Sequence, residues 1–504
     1  MTAPELAHIL SLSKPAIIIT TTAGLATIQA AAALRQPRAR GAVDYSAAGR
    51  VFTVDMEQDA YGCSAGSLNR PSEVVVDGWR VRDWQNLIAA RPVEFTPPKY
   101  EGKEASLRTA VIFWSSGTSG KSKGVMMSHK ALGSALIGCW HGSGLKPGKE
   151  VTVGLPPMYH IFGWAMILQP GPSFGNTCTL LSKFDPQSYL GLVQATRATH
   201  LHIAPPVAVL LAKSPLVDGF DLSSVRACTS GGAPLGASVI KAVYDRHQIP
   251  VWMGYGLSET AGTTGQLAED WPSLAALLGS SGSAYPGMAL RIAAVESGKT
   301  VAIDEPGEIL CWSEWLMTAY LDNEDATAEA FEPSTGEFKT GDVGKLDADH
   351  NLWIVDRLKE IIKVKGFQVA PADLEDSLCA SPLVQDAGVS SIYHDEHATE
   401  YPKAWVVPAD KAVLNGGEAA ERFAREVAKV RVSHSKELLV GCLRLNPLLF
   451  SVRDLAAYRE EICFVQVDPG RVRDRGRDPQ VALGQDPSQD AQRHARPLCA
   501  GLPG

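Results

Sequence analysis

Short apolar runs separated by amphipathic stretches fill the middle of the chain. TAVIFW at 109–114, VTVGL at 151–155, THLHIAP at 199–205 and IPVWMGYG at 249–256 are brief and nearly unbroken, which predicts buried strands. Between them, 131–139 and 237–245 place apolar residues at helical spacing, so 111–310 reads as α/β with chemistry expected at strand ends. The apolar stretch 15–34 is broken by Thr20, Thr21, Thr22, Gly24, Thr27 and Gln29 and predicts a strand followed by a helix; Lys14 ahead of it and alanines behind leave a secretory leader as the other reading. Near Asp356 the pattern changes. Residues 352–355 look strand-like, and 356–365 pack Arg357, Lys359, Glu360, Lys363 and Lys365 around isoleucines, as a domain boundary or an amphipathic surface segment would.

Composition narrows the class. A chain of 504 residues with 45% hydrophobic content exceeds one ordinary domain, so at least two are expected. A formal charge of -8 argues against general nucleic-acid binding and favours a small-molecule substrate. The 9 cysteines form no C-x-x-C pair and fit reduced thiols in an intracellular compartment, cytoplasmic or peroxisomal. The terminal Leu502, Pro503 and Gly504 are not a Ser-Lys-Leu address. No transmembrane segment is expected.

The densest chemistry lies at 115–124, SSGTSGKSKG. Gly117, Gly120 and Gly124 allow close backbone approach, Ser115, Ser116, Thr118, Ser119 and Ser122 add hydroxyls, and Lys121 and Lys123 add charge: the ingredients of a phosphate cradle. Gly120, Lys121 and Ser122 end like a Walker loop, but that pattern needs glycine where Ser115 stands. A flexible Ser/Gly linker is the alternative; the apolar run abutting the loop and the interspersed lysines speak against it.

That loop, GYGLSET at 254–260 and FKTGDVGKLDADHNLWIVDRLKEIIKVKGFQVAP at 338–371 together resemble the adenylate-forming superfamily, in particular its acyl-CoA synthetase and 4-coumarate:CoA ligase group. The resemblance implies an α/β fold with a large multi-subdomain N-terminal adenylation domain (1–355) and a small, incomplete α+β C-terminal domain (356–441); it leaves 442–504 as an aberrant tail whose composition predicts disorder. It also implies ATP, Mg²⁺ and CoA as reactants and metal, and a small-molecule carboxylic acid as the group activated.

Carried over by resemblance, Ser116, Gly117, Thr118, Ser119, Gly120 and Lys123 hold phosphates, with Gly254, Tyr255 and Gly256 on one wall of the adenine and acyl pockets and Gly232, Ala233 and Pro234 of SGGAPLG opposite. Glu259 and Thr260 are the metal residues, a carboxylate and a hydroxyl being hard-oxygen donors suited to Mg²⁺. Asp342 accepts from the ribose hydroxyls and Arg357 adds a fork to ribose or phosphate. Lys359 is the hinge. Lys363 faces the site in the second half-reaction, and Gly366, Phe367 and Gln368 pair with the pantetheine arm of CoA. His160, in PPMYHIFGW, borders the acyl tunnel. Taken singly, each has a plainer reading: Glu259 an exposed loop carboxylate, Asp342 a turn cap, His160 a packed ring.

Two departures from the family pattern stand out. The start resembles a segment well inside the family's N-terminal domain, so a leading part is expected to be missing. After Gly441 the family's proline-lysine-serine stretch, with its Gly-Lys whose lysine contacts carboxylate and ATP, is not found; 469–492 is rich in Asp, Arg, Gln and Pro instead. Synonymous codons exist for 478–492, DPQVALGQDPSQDAQ, that spell Ile-Pro-Lys-Ser-Pro-Ser-Gly-Lys-Ile-Leu-Arg-Arg-Thr-Leu when read one nucleotide later. The expected cause is an out-of-frame tail, with slow adenylation by this chain as its consequence. Three functions remain open: acyl-CoA synthesis, acyl transfer to a carrier protein or luciferase-like oxidation, and a nucleotide-binding pseudoenzyme. Transcript sequencing across the 3′ end should reveal the shifted frame; an in-frame transcript encoding the tail as it stands, with no nearby alternative splice, rejects it.

Overall fold

The computed structural model describes residues 1–34, 45, 50–54, 73–84, 96–115, 122–181, 183–268, 270–358, 360–364, 367–369, 371–379, 381, 383–394, 399–410, 413, 422–423 and 463–466. It has a large mixed α/β portion followed by a smaller α+β portion, as the family resemblance implies.

The centre is a five-stranded sheet. His200–Ile203, Ala227–Ser230 and Val251–Tyr255 run parallel, and Thr264–Gly265 and Ser283–Ala284 extend it antiparallel. Two of the three parallel strands, His200–Ile203 and Val251–Tyr255, fall in apolar runs the sequence marks; Ala227–Ser230 was not among them. Leu201, Ile203, Cys228 and Val251 are buried on one face and pack with Val207, Leu211, Ile240 and Val243 from helices Pro205–Lys213 and Ala237–His247. Those helices cross between successive parallel strands, as a parallel sheet requires. Pro205 and Pro206 open the first, and the second closes with Arg246 and His247 in its last turn, where cations suit the helix dipole.

One end of this sheet is clamped and the other is open. Glu150, just ahead of strand Val151–Gly154, is buried and accepts from Arg226 Nη2 at 2.7 Å on each oxygen, from Thr199 Oγ1 at 2.7 Å and from Lys146 N–H at 2.9 Å. Burial opposes the charge on Glu150, but these donors outweigh it and hold its pKa below the ordinary glutamate value. Thr199 and Arg226 each immediately precede a parallel strand, so the clamp sits at the N-terminal edge. The segments beginning at Gly231 and Gly256 leave from the C-terminal edge, where open α/β sheets place their ligands.

Two further sheets flank that edge. Thr109–Ser115 and Lys123–Ser128 form an antiparallel pair bracketing the phosphate-cradle candidate, and Ala319–Tyr320 adds to Lys123–Ser128. Helix His129–Gly142 follows at once, its first turn capped by Ser128, whose hydroxyl accepts from Ala131 N–H at 3.1 Å. Met288–Ala293, Gly307–Ser313, Phe338–Leu346 and Leu352–Arg357 make a four-stranded antiparallel sheet. The position where the sequence changes character falls inside its last strand: Asp356 is buried and Arg357 pairs with Asp342 in register. Beyond it come the hairpin Ile362–Val364 with Phe367–Val369, helix Pro371–Cys379, and a three-stranded sheet of Val384–His394, Thr399–Pro408 and Cys463–Gln466 with its own apolar core around Leu374, Val389 and Val406.

The strand and helix expected within 15–34 are Ile18–Thr21 and Leu25–Leu34. Cys139, Cys178, Cys228 and Cys311 form no disulfide, and Cys139, Cys228 and Cys311 are buried; among the described residues no helix is long and apolar enough to cross a membrane.

Candidate active site

Glycine geometry sets the first carboxylate. A Cβ on Gly256 would stand 2.4 Å from Ala261 O and 3.1 Å from Gly262 Cα, so only glycine lets the chain fold back after strand Val251–Tyr255. The returning chain is pinned by Thr263 N–H to Tyr255 O at 2.8 Å and by Leu257 N–H to Thr260 Oγ1 at 3.0 Å. Glu259 sits on this turn, buried, and its Oε1 accepts from Tyr320 OH at 2.8 Å. Its backbone oxygen accepts from Met317 N–H at 2.8 Å, tying the turn to the strand that carries Tyr320.

Tyr320 also receives a cation. Lys123 Nζ stands 4.7 Å from the centroid of its ring, because strands Lys123–Ser128 and Ala319–Tyr320 run side by side. Lys123, Tyr320 and Glu259 therefore form one group, though they come from three separate sequence segments. Tyr320 was absent from the sequence-derived set. Its hydrogen bond spans 61 positions, and no local spacing announces it.

The second carboxylate is Asp342. Gly341 adopts a φ of 71°, a left-handed conformation that bends strand Phe338–Leu346, and Asp342 N–H donates to Thr340 Oγ1 at 3.1 Å. Asp342 is 5% exposed; its Oδ2 accepts from Tyr255 OH at 2.5 Å and its Oδ1 lies 3.5 Å from Arg357 Nε. Burial raises the Asp342 pKa against the pull of Tyr255 and Arg357, and the negative charges of Asp356 and Glu259 raise it further. Glu259 thus lies within electrostatic reach of Asp342. Tyr255 is held protonated, first by burial and then by the carboxylate it serves.

Gly232, Ala233 and Pro234 are exposed at the C-terminal edge of strand Ala227–Ser230, with Gly254 on the adjacent strand. A Cβ on Gly232 would meet nothing within 4 Å, so open space faces this segment. His160 stands ahead of the short helix Ile161–Gly163, where its Nδ1 accepts from Phe162 N–H at 3.1 Å; its surroundings hold its pKa below the usual histidine value by burial. That nitrogen is engaged in capping.

Thr260, named with Glu259 as a metal residue, helps to close the turn. It is fully buried, and its Oγ1 is engaged by Leu257 N–H and by Thr263 Oγ1 at 2.8 Å. Among the described residues no group of three or more His, Cys, Asp or Glu side chains is gathered to cage a metal. One carboxylate with an oxygen beyond its Tyr320 bond still fits Mg²⁺ arriving on a polyphosphate, since that ion retains waters and needs one or two protein carboxylates.

Ser116, Gly117, Thr118, Ser119, Gly120, Lys121, Lys359 and Gly366 lie outside the described residues. Lys363, Phe367 and Gln368 lie on the hairpin Ile362–Val364 with Phe367–Val369, described by its backbone, with Lys363 opposite Gln368.

A family model for AMP-binding enzymes matches residues 1–321. The chain belongs to the AMP-binding enzyme family. Among its relatives, a probable CoA ligase, CCL5, from Humulus lupulus is 35% identical over 342 residues, covering 67% of this chain and 61% of that protein. A probable 4-coumarate–CoA ligase 1 from Dictyostelium discoideum is 38% identical over 302 residues, covering 59% and 54%. The chain spans about three-fifths of the length of such relatives. Among solved structures, the amide bond synthetase McbA from Marinactinospora thermotolerans superposes with a TM-score of 0.66 at 25% identity, covering 86% of this chain and 78% of that one. ATP-bound MatB from Rhodopseudomonas palustris gives 0.66 at 24% identity, covering 89% and 79%, a likeness of fold.

The buried Asp342 supplies a test that separates stability from binding in this AMP-binding family member. An acid with a raised folded-state pKa holds its proton more tightly when folded, so its contribution favours the folded chain at low pH and is lost as pH rises through the folded value. Asp342→Asn keeps an acceptor for Tyr255 and removes the ionisation. Thermal melts should show the variant at least as stable as wild type at pH 7, with any advantage shrinking as pH falls toward the ordinary aspartate value of about 3.9. Calorimetric titration with ATP gives the second readout: a ligand-binding role for the carboxylate predicts affinity reduced about ten- to hundredfold, the loss expected for charge-assisted hydrogen bonds, and a purely structural role predicts no change.

Proposed function

We propose that this chain activates a carboxylic acid by adenylation and passes the acyl group to CoA. In the first step a carboxylate oxygen attacks the α-phosphorus of ATP, and pyrophosphate leaves with the bonding electrons, giving acyl-AMP. In the second, the CoA thiolate attacks the acyl carbonyl and AMP departs. Both steps bring anions together, so positive charge and fixed donors must offset their repulsion.

The observation that carries this reading is the convergence of two buried carboxylates with opposite duties. Asp342, steadied by Tyr255 and flanked by Arg357, has the oxygens to accept from both ribose hydroxyls. Glu259, steadied by Tyr320, would hold Mg²⁺ on the phosphates, with Lys123 beside it as a cation for the same groups. When bound, the ion neutralises phosphate charge and polarises the phosphorus centre. Gly232, Ala233, Pro234 and Gly254 would leave the acyl group room at the strand edge. The CoA-ligase names of the relatives support CoA as acceptor over a carrier protein.

ATP–pyrophosphate exchange with a panel of carboxylic acids is the direct assay. We expect acid-dependent exchange, a lower rate by about a hundredfold in Glu259→Gln, as for loss of one preorganised electrostatic group, and thioester formation with free CoA. ATP binding with no exchange for any acid would favour a nucleotide-binding pseudoenzyme, and transfer only to a carrier-protein pantetheine would overturn the acceptor.

A further inference from the structure

One face of the parallel sheet carries two histidines where apolar residues would pack. His200 and His202 alternate with the core residues Leu201 and Ile203 on strand His200–Ile203, and each is 2% exposed. Their rings lie 4.8 Å apart. His200 is satisfied: its Nε2 is 2.8 Å from Thr229 Oγ1. His202 is not. Its Nδ1 is buried and has no hydrogen-bond partner. Such a group costs free energy in a folded protein and calls for an explanation.

Its position supplies one. His202 stands one residue from the C-terminal edge of its strand, and the Phe162 ring meets it edge-on, centroids 6.2 Å apart at 90°. Phe162 follows His160 on the short helix and also borders Gly231, where a Cβ would stand 3.4 Å from the ring. Gly231 leads into the exposed Gly232, and Thr229 on the neighbouring strand has its methyl 3.9 Å from where a Gly254 side chain would begin. His202 therefore packs against Phe162, on the face of the sheet it shares with Thr229, toward which a Gly254 side chain would project.

Resting on the adenylation reading, we propose that His202 is a specificity-determining residue: its free ring nitrogen hydrogen-bonds an uncharged polar group, a hydroxyl, on the part of the acid remote from the reacting carboxylate. The charge state of the ring suits that chemistry. Burial pushes the His202 pKa down to about 4, with the Glu150 charge a smaller opposing influence, so the imidazole is neutral at pH 7. A second carboxylate would meet no countercharge on a neutral ring, whereas a hydroxyl can donate to or accept from either tautomer. A purely apolar tail would leave the nitrogen unpaired.

The test uses the full chain and two matched acid pairs, hexanoate with its terminally hydroxylated counterpart and phenylpropanoate with its para-hydroxyl counterpart. Binding is followed by calorimetry in the presence of ATP, and turnover by pyrophosphate exchange. In at least one pair the hydroxylated acid should bind about tenfold more tightly, the worth of one buried hydrogen bond. His202→Phe should bring that ratio close to one while keeping affinity for the unsubstituted acid. His202→Asn, which retains a polar atom near the Nδ1 position, should preserve part of the preference and also serves if the phenylalanine variant misfolds. No hydroxyl preference in wild type, or an equal loss for both members of a pair in the variants, overturns the role of His202. Hydroxyl-selective binding without exchange for any acid would retire the adenylation reading and leave the selectivity of this pocket standing.

Discussion

The hydrogen bond from Tyr255 to Asp342 is the constraint on which the rest of the site depends. It joins the last parallel strand of the central sheet to the bent strand of the antiparallel sheet, across 87 positions of sequence. The phenol gives a buried carboxylate one strong donor, and Arg357 gives it nearby positive charge, yet burial still raises its pKa. The protein keeps a carboxylate where solvation disfavours it. Such an arrangement is expected where charged acceptors are needed for a ligand, since replacing the acid by a neutral isostere would relieve the penalty.

Glu259 repeats the device with different parts. A turn that only glycine can make at position 256 carries it inward, and a second phenol, Tyr320, steadies it. The charge of Glu259 adds to what raises the Asp342 pKa, and the cation over the Tyr320 ring belongs to Lys123, at the exit of the glycine- and serine-rich loop. The opposite edge of the sheet, clamped by Glu150, Arg226 and Thr199, is dense with satisfied polar contacts. Fixed N-terminal strand edges and open C-terminal edges give a rigid base with a permissive rim.

Much of this was legible in the sequence, for identifiable reasons. Strands His200–Ile203 and Val251–Tyr255 announce themselves as short apolar runs, and the helical spacing at 131–139 falls within helix His129–Gly142. The turn glycines and the carboxylates Glu259 and Asp342 stand in contiguous motifs, so resemblance could assign them. What escaped depends on tertiary pairing. Tyr320 reaches Glu259 only because its strand adds to Lys123–Ser128. His202 reads as one more polar residue in an apolar run until the sheet buries it with a nitrogen unpaired. The hydrogen bonds of Thr260 to Leu257 and Thr263 likewise follow from the fold of the turn and not from its place beside Glu259.

The central claim is that Asp342 and Glu259 serve a single nucleotide. A crystal structure of the chain with Mg²⁺ and a non-hydrolysable ATP analogue tests it most directly. The account predicts ribose hydroxyls within hydrogen-bonding distance of Asp342 and the metal on Glu259, with the phosphates reaching toward Lys123. A nucleotide seated elsewhere, or the two carboxylates lining separate cavities, would contradict it.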